Sequence, residues 1–446
     1  MVTRSFAASV AVLACSIAPS IASASDLLEA FQLAKQNDPV FRAVVHEKLA
    51  QDETLRVEWS KLLPQIVGNL DWSSVRQDVR ASQNNVVTEG SSDYRRTEFG
   101  ARLTQPLFRL TEMSRVYQAK SETRQAAAEV DAALQDLIFR VADAYFGVLG
   151  AEDELELRAR ERLALDRQRE LAQKRLDAGL GIAPDLYEAE ARFALAAADE
   201  EIALFQLQDA RQALAEITGV LDAELVGLSA ELPLATPEPA SPDVWVREAL
   251  ASNPELEAAR QAYEVAEREV NRQRTGHAPT LDLEAGYNSV DTGGSLFGGG
   301  SNVDTGDVAL KLRVPLFSGG GVVFATRRAI ELRKQERQNM VRTRRETERR
   351  TRSAYQAVSS SSRRVAALRK SVESQELAVR GREKAVKAGL EVTINVLNAE
   401  RELYADLRDY AAGRYDYVRS ILRLEQSAGA LSVEDVERVN AWLTEP

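Results

Sequence analysis

The sequence predicts a mainly α-helical, internally duplicated chain that carries a minority of transmembrane-type β-strands. Three observations lead there. Short motifs occur twice in the same order: Asn37-Asp38-Pro39 returns as Ser252-Asn253-Pro254, and Gln105-Pro106-Leu107-Phe108 as Val314-Pro315-Leu316-Phe317. Asp177-Ala178-Gly179-Leu180 likewise returns as Lys387-Ala388-Gly389-Leu390. The offset stays near ~210 residues, so one structural unit is used twice. Proline is absent between Pro106 and Pro184 and between Pro315 and Pro446. An interior proline costs a helix about 3 kcal/mol, so both windows are open to long helices. Ahead of each window lie two segments of period-two alternation, the pattern of half-buried or membrane-facing strands.

The elements follow in chain order. Arg4, the apolar run from Phe6 to Ile17 and the small residues Ala22-Ser23-Ala24 read as an export signal over 1–24. Val12-Leu13-Ala14-Cys15 offers lipoprotein-type cleavage as the alternative. Cys15 is the single cysteine, so ordinary cleavage leaves a mature chain without thiol or disulfide chemistry. The first repeat, 25–230, places strands at about 65–75 and 96–105. In them Ile66, Gly68, Leu70 and Trp72 alternate with Gln65, Asn69, Asp71 and Ser73, and Phe99, Ala101 and Leu103 with Glu98, Arg102 and Thr104. Long helices follow at about 110–178 and 184–218, the first marked by Leu134, Ile138, Val141, Tyr145 and Val148 at steps of three and four. A proline-rich linker covers 231–242.

The second repeat, 243–446, has strands at about 280–288 and 307–314, with Leu281, Leu283, Ala285 and Tyr287 and then Val308, Leu310, Leu312 and Val314 on the apolar face. Its helices run at about 321–388 and 392–426. Arg76 to Asp93 and Asn288 to Gly306 read as polar surface loops joining each strand pair. Each long helix reaches roughly 100 Å at 1.5 Å per residue and needs neighbours to bury its stripe.

Composition narrows the function. Of 446 residues 28% are charged and 6% aromatic, with a net charge of −11. That balance disfavours nucleic acid as a partner, and Glu331, Glu336, Glu346 and Glu348 interrupt the basic run from Arg327 to Arg352. No stretch after residue 24 approaches 18 consecutive apolar residues, so no transmembrane helix is expected. The two histidines, His46 and His277, sit in no triad or ligand spacing. No enzyme, cofactor or metal site is read from the chain. Gly298-Gly299-Gly300 lacks the Gly-Lys-Ser/Thr of a phosphate loop. The duplicated turns at Gly179 to Pro184 and Gly389 to Thr393 lie at the ends of the long rods, farthest from the strands.

These elements resemble the TolC-like outer-membrane channels of Gram-negative bacteria over nearly the whole mature chain. The resemblance is carried by Asn37-Asp38-Pro39, Leu63-Pro64-Gln65, Gln105-Pro106-Leu107-Phe108 and Ala144-Tyr145-Phe146 with Val148-Leu149. It continues in Gly276-His277-Ala278-Pro279-Thr280-Leu281, in Val314-Pro315-Leu316-Phe317-Ser318-Gly319-Gly320 and in the two Ala-Gly-Leu tips. It implies a homotrimer in which four strands per chain form one third of a twelve-stranded barrel in outer-membrane lipid. Long antiparallel helices then form a periplasmic α-barrel tunnel. Such channels are passive: they take cargo, a protein or a small toxic molecule, from an inner-membrane ABC or proton-driven transporter through a periplasmic adaptor (membrane fusion protein). A periplasmic coiled-coil adaptor or structural rod is the alternative for the helices alone.

The resemblance also assigns roles at the tips. Ala178, Gly179, Leu180, Pro184 and Asp185 in the first hairpin, and Ala388, Gly389, Leu390 and Glu391 in the second, become turns that contact the adaptor. Asn395 and Asn398 align with the inner constriction, where the family's best-known members carry two aspartates per copy. Asp185 matches a latch position whose usual tyrosine and arginine partners align here with Val386 and Glu391. This constriction is therefore expected to be lined by amides, and the second hairpin to be the moving gate.

Overall fold

The structure is a computed structural model describing residues 26–79, 90–221, 224–229, 231–294, 299–388 and 390–444. The export signal with Cys15, parts of both polar loops (80–89 and 295–298, with Gly298) and Gly389 lie outside the described residues. In chain order the elements are α1 (Leu27–Asn37), α2 (Pro39–Ser60), β1 (Gln65–Val79), β2 (Gly90–Arg109), α3 (Leu110–Asp177), α4 (Ala183–Thr218), β3 (Gly227–Leu228), α5 (Pro242–Ser252) and α6 (Pro254–Arg274). After a 3₁₀ turn at Thr275–His277 come β4 (Thr280–Thr292), β5 (Ser301–Arg313), α7 (Gly321–Lys387), α8 (Thr393–Ala428), α9 (Val433–Asn440) and β6 (Leu443–Thr444). Two compact units are formed, one from residues up to 34, 141–233 and 436 onward, the other from 35–140 and 234–435. Helix α3 runs through both, and the units do not follow the sequence repeats.

The larger unit holds an antiparallel sheet in the order β1-β2-β4-β5. Its register stacks the alternations of the separate strands into continuous rows. Ile66 lies opposite Leu103, Leu103 opposite Ala285, and Ala285 opposite Val308. Gly68, Ala101, Tyr287 and Gly306 form the next row. Since successive side chains alternate faces, these rows share one face, and Arg102, Asp282, Glu284 and Lys311 share the other. On that second face Glu284 Oε2 accepts from both Arg102 and Lys311 at 2.7 Å. Arg109 also donates to both carboxylate oxygens of Asp282, at 2.8 and 3.0 Å.

The strands outrun the segments that alternation marks. Cross-strand pairing carries β1 and β2 to Val79 and Gly90, and β4 and β5 to Thr292 and Ser301. Much of what reads as polar loop is therefore paired backbone, held by its neighbour and not by side-chain pattern. Strand β2 also continues past Pro106 to Arg109 through a register shift between Pro106 and Phe108. A bulge of this kind accommodates a residue that has no N–H to give to the ladder.

Helices run on from the strands in duplicated pairs. Helix α2 runs antiparallel to α3, tied by Gln51–Glu122 at 2.9 Å, Arg115–Glu58 at 3.4 Å and Arg140–Asp38 at 2.8 Å. Helix α6 repeats this on α7 through Arg350–Glu255 at 3.1 Å and Arg333–Glu267 at 3.9 Å. Both entering helices start with the same device. Asp38 caps α2 by accepting from the Phe41 N–H at 2.7 Å, and Asn253 caps α6 through the Leu256 N–H at 3.1 Å. In each, a proline follows at the first helical position, where no N–H is required. Helix α8 packs on α7 around Val358, Val365, Tyr417 and Leu424, and the Tyr417 hydroxyl closes on the backbone of Ala235.

In the smaller unit Val148 of α3 meets Leu207 and Leu214 of α4. The Tyr145 hydroxyl donates to the Val226 carbonyl at 2.8 Å, and its ring sits edge-on to Phe146. Burial pushes that hydroxyl's pKa far up, so it stays a donor. Asn440 of α9 joins the two ends of this unit, accepting from the Leu27 N–H and donating to Asp26.

Candidate functional site: the sheet face and the helix tips

Two regions expose apolar side chains on regular structure. One is the apolar face of the sheet, where Ile66, Leu70, Trp72, Val308 and Leu310 all stand well exposed in a continuous apolar band. No helix among the described residues is long and apolar enough to cross a membrane. Strands β1 and β5 each have one neighbour, leaving two sheet edges.

The other region is the pair of helix tips. At the first, the Leu180 N–H bonds the Arg175 carbonyl at 2.8 Å and the Gly179 N–H bonds Leu176 at 3.0 Å. These are the two bonds of a Schellman ending, and Gly179 occupies its left-handed position at φ +67°. At the second tip the Leu390 N–H bonds the Ala385 carbonyl at 2.9 Å, one repeat later. Ala388 caps α7 through the Lys384 carbonyl. Beyond each turn the next helix opens without a side-chain cap, at Ile182 and Val392. Leu180, Ile182, Leu390 and Val392 are all exposed, so each tip presents two apolar side chains. Pro184 and Asp185 are exposed in the first turn of α4.

At the second tip the structure brings together Arg382, Glu391 and Asn395. Asn395 Nδ2 donates to Glu391 Oε1 at 3.0 Å, and Arg382 of α7 donates to the Asn395 carbonyl at 3.1 Å. Asn398 lies half-buried one turn further on. The Glu391–Asn395 bond spans four residues and was open to an i,i+4 argument; the Arg382 contact depends on how α7 and α8 are phased. Just beyond, Glu400 has Oε2 buried with no hydrogen-bond partner. Burial, reinforced by Glu383 on α7, raises its pKa above the ordinary carboxyl value. Among the described residues no group of three or more His, Cys, Asp or Glu is placed to hold a metal ion.

The family model for outer membrane efflux proteins matches residues 30–220 and 245–430, one stretch per sequence repeat. The chain belongs to the outer membrane efflux protein family. This efflux-family channel is 30% identical to the outer membrane protein TolC of Vibrio cholerae over 422 residues, covering 94% of each chain. It is 32% identical to the alkaline protease secretion protein AprF of Pseudomonas aeruginosa over 424 residues, covering 93% of this chain and 86% of the relative. The CmeC outer membrane channel of Campylobacter jejuni shares the fold, with a TM-score of 0.78 at 15% identity over 94% of this chain and 90% of that one. The efflux-family channel resides in the Gram-negative outer membrane and extends into the periplasm. Its family and fold are those of passive conduits and not of enzymes.

Proposed function

We propose that three copies of this chain close a single twelve-stranded barrel and, beneath it, a helical tunnel that carries cargo out of the periplasm. The observation that supports this is the sheet: four strands with apolar rows in register and one open edge on each side. An open edge is untenable in lipid, where every backbone polar group needs a partner. Strands β1 and β5 run in opposite directions, so β5 of one copy pairs with β1 of the next in the same antiparallel sense. Four strands are too few for a barrel of at least eight. A periplasmic rod or adaptor accounts for the helices but not for the apolar rows.

The exposed apolar pairs at the tips suit a periplasmic adaptor that hands over cargo from an ABC or proton-driven inner-membrane transporter. One relative is named for alkaline protease secretion, which favours a type I protein-secretion role, with small-molecule efflux as the alternative cargo. The test of the assembly is the detergent-extracted protein on gels with and without boiling. A three-copy species that collapses on boiling is expected; a soluble single chain overturns the reading.

At the constriction, Asn395 and Asn398 replace carboxylates with amides, and the nearby Glu391 is engaged by Asn395. A neutral ring concentrates cations less than a ring of carboxylates. Conductance in planar bilayers is expected to show weak block by divalent and trivalent cations, strengthened by Asn395→Asp with Asn398→Asp. Strong block of the wild type at micromolar cation overturns the amide-ring reading, and Glu391→Gln then shows whether Glu391 is the source.

A further inference from the structure

The apolar face of β1 and β2 changes character toward the end of the sheet farthest from the helices. In β1 the alternation Ile66, Gly68, Leu70, Trp72 continues on the same face as Ser74 and Arg76. In β2, Leu103, Ala101 and Phe99 continue as Thr97, Arg95 and Asp93. The register is unbroken through this change, with Ser74 opposite Arg95 and Arg76 opposite Asp93. Both arginines are exposed. Arg95 has no ion-pair partner among the described residues, and its row neighbours are small. They are Ser74 on β1 and Gly293 beyond β4, whose N–H donates to the Arg95 carbonyl at 2.8 Å. The Arg95 guanidinium therefore stands in a notch, with the exposed hydroxyls of Ser74 and Thr97 beside it. Arg76 meets Asp93 through Nε at 3.6 Å, too long for a hydrogen bond, and both side chains are open to solvent. At this level the acidic residues of the same face, Asp291 and Asp304, lie on β4 and β5, so the positive patch is confined to the first hairpin.

We propose that Arg76 and Arg95 bind the phosphate of a phosphorylated glycolipid in the outer leaflet of the membrane, with Trp72 against its acyl chains. The site rests on the barrel proposed above, which turns this face to lipid. Depth selects the leaflet. From Ile66 to Arg76 the strand rises by about 33 Å at ~3.3 Å per residue. A tilt of about 40° turns that into about 25 Å of height, the full span of a barrel's apolar band. The helices leave from the other end of the strands, so the arginines stand at the outer headgroups, which in a Gram-negative outer membrane belong to phosphorylated glycolipid. Charge selects the group: a guanidinium fork matches phosphate oxygens, and its donors gain strength from the opposite charge. Trp72 is 71% exposed and lies two rows nearer the apolar band, where an indole suits the boundary between acyl chains and headgroups.

The test titrates the detergent-extracted protein with purified bisphosphorylated lipid A, or with the same lipid after its phosphates are removed. The readout is the temperature at which the three-copy species dissociates on gels. The phosphorylated lipid is expected to raise that temperature at about tenfold lower concentration, the factor that one charge-assisted hydrogen bond supplies. Arg76→Gln with Arg95→Gln should erase the difference. Arg96→Gln should keep it, because Arg96 lies one residue away on the opposite face, paired with Glu98 at 2.8 Å. An equal response of the wild type to both lipids overturns the proposal without any variant having to fold. Survival of the difference in the double variant overturns it too, as does its loss in Arg96→Gln. Inorganic phosphate acting at the same concentration as the lipid marks a general anion site and overturns the glycolipid assignment, and an equal response to phosphatidylglycerol overturns it likewise. Absence of any three-copy species on unboiled gels overturns the barrel itself, and the lipid-facing site with it.

Discussion

Asp38 shows how much a single side chain holds at the start of α2. It is almost fully buried, caps the helix through the Phe41 N–H, and receives both Nη atoms of Arg140 at 2.8 and 3.2 Å. Burial works to raise its pKa, but Arg140 and the backbone N–H outweigh burial and hold it below its ordinary 3.8. Its contribution is thus complete above pH 3.8 and is lost as pH falls through the lower, folded-state value. Asp38→Ala removes cap and pair together and should cost about 2 kcal/mol; Asp38→Asn keeps the cap and should cost less. Thermal melting of the detergent-extracted protein separates them. Glu400 has the opposite sign. Its pKa is raised, so the hairpin it belongs to loses stability as pH rises from 4.5 through the folded-state value. Glu400→Gln should therefore stabilise the α7–α8 tip at neutral pH by on the order of 1 kcal/mol, read as slower amide exchange there.

At the scale of the element, the tips were the most legible part of the chain. A glycine that must take positive φ announces itself in sequence, and Gly179 does so at +67°. An added Cβ at Gly179 meets nothing within 4 Å, so Gly179→Ala carries only the conformational cost, about 1 kcal/mol. Faster amide exchange confined to the turn between α3 and α4 is the expected result. The alternating strands were legible for the same reason, a local period. Their full lengths were not, because Ser301 and Thr292 hold strand geometry through each other and not through their own pattern. The bulge after Pro106 was hidden likewise: nothing in Gln105-Pro106-Leu107-Phe108 tells a strand end from a strand that shifts register. At the second tip the resemblance singled out Asn395 and Asn398, whereas Arg382 on Asn395 and Glu383 near Glu400 required the rotation of one helix on another.

At the scale of the whole molecule, the barrel proposed above turns the sheet's apolar face to lipid and its other face to the lumen. A charge on the apolar rows, such as Leu70→Arg, should cost about 2 to 4 kcal/mol at mid-membrane depth and lower the yield of heat-resistant channel in the outer-membrane fraction. Asn69→Arg, one residue away on the charged face, should leave the yield unchanged. The two open edges at β1 and β5 also bear on inheritance. In the three-copy closure proposed above, a copy damaged at one edge still offers a sound edge on its other side, so it is recruited into rings it cannot complete. In a cell making equal amounts of intact and edge-damaged chains, about one three-copy ring in eight is built wholly from intact chains. Edge lesions should therefore behave as dominant alleles, while lesions that block a chain from pairing at all should be recessive.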